Sequence, residues 1–100
     1  MKDPDSIPRA GEFVRILDGR DKGQFACVIE VLDDRFVLLA DGDKRKVDRP
    51  KKKNIQHIER SHVIASEVKN SIIETGRVTN AKLRFAISSY MNDNLLKEGE

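Results

Sequence analysis

From Gly11 onward the chain breaks into short runs of β-branched and aliphatic residues separated by Gly and Asp. Glu12–Leu17 (EFVRIL) reads as a first strand, Asp18–Gly23 as a glycine-bracketed loop, and Gln24–Leu32 (QFACVIEVL) as the strongest strand. Asp33-Asp34 makes a tight turn, from which Arg35–Ala40 (RFVLLA) returns antiparallel. Asp41-Gly42 signals a hairpin, because glycine accepts the positive φ of a type I′ turn. Lys44–Val47 then supplies a fourth strand, Pro50 interrupts it, and Asn54–Ile58 (NIQHI) makes a short fifth. Five short strands with closely spaced turns predict a mainly β protein, a small antiparallel barrel rather than a βαβ unit. The inward positions are expected to be Val14, Ile16, Phe25, Cys27, Ile29, Val31, Phe36, Leu38, Val47, Ile55 and Ile58.

After Arg60 the spacing changes. Ile64, Val68 and Ile72 fall four apart, with Ser66 as N-cap and Gly76 as stop, which predicts a helix. Thr79-Asn80 offers caps for a second helix, over Asn80–Met91, with Leu83, Ile87, Tyr90 and Met91 as its apolar stripe. Helices this short need a docking surface. The expected organisation is a flexible arm over 1–10, a barrel over 11–60 and a two-helix tail over 61–100 that frays through its final KEGE.

One hundred residues with 38% hydrophobic and 5% aromatic content sustain one modest core, not a deep substrate cavity. The formal net charge is only +2, but it is unevenly placed. Lys44, Arg45, Lys46, Arg49, Lys51, Lys52 and Lys53 face a single Asp48 inside ten residues, a window of +6 that leaves −4 for the remainder. Such a cluster stays at the surface, either as a solvated face or beside an anion. The single cysteine excludes an internal disulfide, and no apolar stretch has the length of a membrane span. With no apolar segment in MKDPDSIPRAGE, a cytoplasmic protein is expected.

The stretch GEFVRILDGRDKGQFACVIEV (11–31) resembles the KOW motif: a strand after Gly11, a polar loop between glycines, and an apolar strand leaving Gly23. The continuation VLLADGDKRKVDRPKKKNIQHIE is similar to KOW-containing relatives of a large-subunit ribosomal protein, found in bacteria as small stand-alone RNA-binding proteins. TGRVTNAKLRFAI resembles their tail more loosely. The resemblance implies a five-stranded SH3-like (KOW) barrel that contacts RNA through the first loop and adjacent basic surface. Carried over by position, it marks Gly19, Arg20, Lys22 and Gly23 in the loop, and Lys51, Lys52 and Lys53 before the last strand. The loop is charge-neutral, because Asp18 and Asp21 offset Arg20 and Lys22, so weight shifts to Lys44, Arg45, Lys46, Arg49 and Lys51–Lys53.

Structured RNA hides its base edges, so a protein meets phosphates, 2′-hydroxyls and shape, for which mobile lysines are suited. Gly19 and Gly23 either bring backbone amides close to a phosphate or only permit a tight turn. Phe13 alternates opposite Val14 and Ile16, and so faces either a base or a tail helix. Enzyme chemistry lacks an inventory. His57 and His62 have no carboxylate or cysteine at ligand spacing, Cys27 reads as a core residue, and Gly19–Gly23 lacks the ending of a phosphate-binding P-loop. The expected function is an RNA-binding accessory of the ribosome or translation apparatus. Its partners are ribosomal or other structured RNA, with ribosomal proteins a further class, and it needs no cofactor, small-molecule substrate or membrane. The alternative is a protein-docking SH3-like module of a transcription or translation complex.

Overall fold

The computed structural model describes residues 7–98. Five strands form one antiparallel sheet: β1 (Glu12–Ile16), β2 (Phe25–Val31), β3 (Phe36–Ala40), β4 (Lys51–Asn54) and β5 (Ile58–Ile64). A 3-10 turn at Ile55–His57 joins the last two, and helices α1 (Ser66–Thr75) and α2 (Asn80–Glu98) follow. The strand order is β4-β3-β2-β1-β5. No ladder joins the two edges, so the sheet is open and the expected closed barrel is corrected.

Both faces of this sheet are buried. Val14, Ile16, Ala26, Val28, Val37, Leu39 and Ile58 form an inner core with Ile55 packed against it. Among the described residues no α-helix contributes to that core, so the sheet must coil over its own inner face. Register shifts between Val28 and Glu30 and between Glu12 and Val14 supply irregularities of the kind that bend strands. On the outer face Phe13, Cys27 and Ala40 pack under Val68, Leu83, Ala86 and Ile87 of the helices. Phe13 stacks on Tyr90 with ring centroids 4.3 Å apart, and Phe25 meets the same ring edge-on at 5.8 Å. Phe13 therefore covers a helix.

Val14, Ile16, Ile55 and Ile58 lie in the inner core as expected, but in β2 and β3 the expected interior had the right period and the wrong parity. Phe25, Cys27 and Ile29 lie on the helix-facing side, and Ala26 and Val28 take the inner positions. In β3, Val37 and Leu39 point inward where Phe36 and Leu38 were expected, while Val31 is 37% exposed. A strand apolar on both faces carries no label for inside. Cys27 is fully buried nonetheless, and its thiol is pushed up to about 12, first by burial and then by the nearby Glu12 charge.

Two strands also differ. Lys44–Val47 is an irregular connection, not a strand, because its backbone groups are taken by Asp41 and by Asn80 at the start of α2. Asp41 Oδ1 accepts from the amides of Asp43 and Arg45, and Asn80 Oδ1 accepts from the Val47 amide. Gly42 has φ +82° while Asp41 stays negative, so the expected type I′ turn does not form. A Cβ at Gly42 would collide with the Asn80 carbonyl, where the start of α2 crosses the loop. The fifth strand is Ile58–Ile64 rather than Asn54–Ile58, since Ile55–His57 turns as a 3-10 helix.

The expected flexible arm lies partly outside the described residues, as do the last two residues of KEGE. Within them Pro8 is buried, and the Arg9 amide donates to Glu12. The α1 N-cap is Ala65 and not Ser66, while Gly76 closes the helix in the left-handed conformation as expected. Thr79 caps α2 by accepting from the Lys82 amide. No helix among the described residues is long and apolar enough to cross a membrane.

Candidate nucleic-acid interface

The β1–β2 loop and β4 are far apart in sequence but meet in the structure. Lys53 Nζ donates to the Asp18 carbonyl at 2.9 Å. Leu17 N donates to the His57 carbonyl, and the Asp18 carboxylate lies 3.8 Å from His57 Nδ1. The Asp18 carbonyl and the Leu17 amide thus fasten the loop to β4 and the 3-10 turn.

β4 pairs Lys51 with Leu39, Lys52 with Leu38 and Lys53 with Val37. Cross-strand partners share a face, which puts Lys51 and Lys53 on the side of the β1–β2 loop. Lys52 projects from the other face, its Nζ 4.6 Å from the Phe36 ring centroid. Beside Lys51, the ends of β1 and β3 and the start of β2 enclose a cavity of about 410 Å³. Arg20, Lys44, Arg45 and Lys51 line it together with Asp21 and Asp41.

Of the expected site residues, Arg20, Lys44, Arg45 and Lys51 therefore line one mouth of the sheet, while Gly19 lies beside the end of Lys53. Lys22 and Gly23 border an adjoining hollow beside Arg84 of α2, whose guanidinium donates to the Gly42 carbonyl. Lys46 and Arg49 sit in the turn before β4, where the Arg49 amide donates to the Lys46 carbonyl.

Both glycines take the positive φ of a tight turn. Gly23 has φ +89° and its amide donates to the Ile16 carbonyl at 2.7 Å, so that amide is spent on closing the hairpin. A Cβ at Gly19 would meet only the end of Lys53, and its φ is also positive, +90°.

Sequence reasoning missed a buried ion pair that shapes the opposite edge. Glu12 is fully buried and Arg60 grips it through Nε and Nη2, each at 2.9 Å. Burial alone would raise the carboxyl pKa. The Arg60 hydrogen bond, the Arg9 amide, the Arg60 charge and the His62 amide together outweigh burial and hold it below its usual value. His62 takes a left-handed φ of +62° to aim that amide. The available signal was a lone Glu between Gly11 and Phe13, at a position the alternation required to be inward or unpaired.

These features define a small, doubly cored antiparallel sheet with two covering helices and a cationic mouth. No family profile matches the chain. Over 53 residues it is 53% identical to the protein named "Putative ribosome-binding protein YbzG" of Bacillus subtilis (strain 168), covering 53% of this chain and 72% of that protein. The chain belongs to the family of that Bacillus protein.

Proposed function

We propose that this protein is a non-enzymatic, cytoplasmic RNA-binding accessory of the ribosome, built on a KOW-type SH3-like sheet. The cationic mouth grips structured RNA through phosphates and shape. The observation that carries this reading is the convergence of the β1–β2 loop and β4, which brings Arg20 of the loop beside Lys44, Arg45 and Lys51. The ribosome enters through the Bacillus relative, whose name assigns it ribosome binding.

The test is reversal of Lys44 and Lys51 to Glu, both exposed and outside the cores. Stability should change by only about 0.5 kcal/mol. Affinity for ribosomal RNA should fall, and the slope of log K against log salt should flatten by roughly 0.7–0.9 per lost phosphate contact. Unchanged affinity at moderate salt in a folded double variant would refute the reading.

A second reading, protein docking, rests on α2. Phe85 is 71% exposed and shares a groove with Val63, which is 44% exposed. Binding that resists salt but is lost in Phe85→Ser would favour it.

A further inference from the structure

The cationic mouth contains more than cations. Its floor is apolar, made by Ile16, Ala26 and Leu39 at the open end of the inner core. Gln24 and Asp21 also line it. Asp41 Oδ1 already accepts two amides and serves the loop. The Asp21 carboxylate has no hydrogen bond or ion pair among the described residues, and only its backbone carbonyl is used, by the Gln24 amide.

A duplex does not fit this combination. It offers convex phosphates with bases hidden, which reach neither an apolar floor nor a carboxylate set among cations. A cavity of about 410 Å³ is at the small end of ligand sites and suits one nucleotide. Phosphate would pair with Arg20, Lys44 and Lys51, because Asp21 repels it. The base would enter over the floor, with Arg45 as a planar cation at the rim.

The carboxylate also selects among bases. Two adjacent oxygen acceptors ask for two adjacent donors. Guanine offers them in its N1–H and N2 amino group. Adenine and cytosine place a ring-nitrogen acceptor beside their amino group, and uracil sets its single N–H between two carbonyls. We propose that the mouth receives one unstacked guanine nucleotide of the bound RNA, read by Asp21 and held by Arg20, Lys44 and Lys51. This rests on the RNA reading above and deepens it.

Titrating the labelled full chain with GMP, AMP, CMP, UMP and inorganic phosphate, followed by amide NMR, tests it. GMP should shift the Asp21, Gln24 and Ala40 resonances most strongly. Asp21→Asn, which keeps the loop's backbone bond, should reduce the preference for GMP over UMP roughly fivefold or more while leaving phosphate binding in place. Equal shifts from all four nucleotides and phosphate would overturn the proposal, as would no shift at these residues. A companion measurement compares a blunt RNA duplex with the same duplex carrying one bulged guanine. Tighter binding of the bulged RNA supports the proposal. Equal binding of both overturns it while leaving RNA binding intact. GMP-selective seating without affinity for either RNA supports the pocket and removes the RNA reading.

Discussion

Glu12 and Cys27 make the most exposing tests at the level of single residues. The Glu12–Arg60 pair is buried and satisfied, so breaking it leaves an unpaired charge under the sheet. Arg60→Met should therefore cost about 3–5 kcal/mol, measured by chemical denaturation. Because the folded Glu12 pKa lies below its unfolded value of 4.5, its stabilisation is present above that pH. It is lost as pH falls through the folded pKa, and Glu12→Gln should flatten that acid limb. Cys27 should resist alkylation in the native state, since burial keeps it a thiol at neutral pH. Cys27→Ser should destabilise by on the order of 1–3 kcal/mol. Rapid native labelling would mean that the helices do not cover the outer face.

Elements were legible where one physical signal governed them. The first three strands and both helices stood out because apolar spacing marks a face to be buried, and Asp33 closes its turn by accepting from the Arg35 and Phe36 amides. β4 was illegible: KKKN is an edge strand with no apolar residue, held by backbone pairing to β3 and by the contacts of Lys52 and Lys53. The end of β5 was hidden because Arg60, Ser61 and His62 serve Glu12 and the backbone of Phe13. The candidate site was legible as composition, and its assembly was not, because Lys53 meets Asp18 across 35 positions. β5 also bears on the fate of a shortened chain. A fragment ending at Arg60 lacks half of β5 and everything above Phe13 and Cys27, so it should not fold; a cooperative melt of that fragment would contradict the double-core account.

The whole molecule should unfold as one unit, because β1 and β2 each contribute side chains to both cores. Tyr90, the single tyrosine, sits between Phe13 and Phe25 and reports the outer core. Its fluorescence and far-ultraviolet circular dichroism should give superimposable denaturation curves, and separate midpoints would show that the helices detach first. The shared strands also bear on how the protein is made. During synthesis β1, β2 and β3 can pair as a meander soon after they emerge. The cover for Phe13, Cys27 and Ala40 begins with Val68 and is completed only by Leu83, Ala86 and Ile87, well after β3. Until then the nascent sheet shows water a continuous apolar face, which makes unfinished chains far more prone to clump than the completed protein.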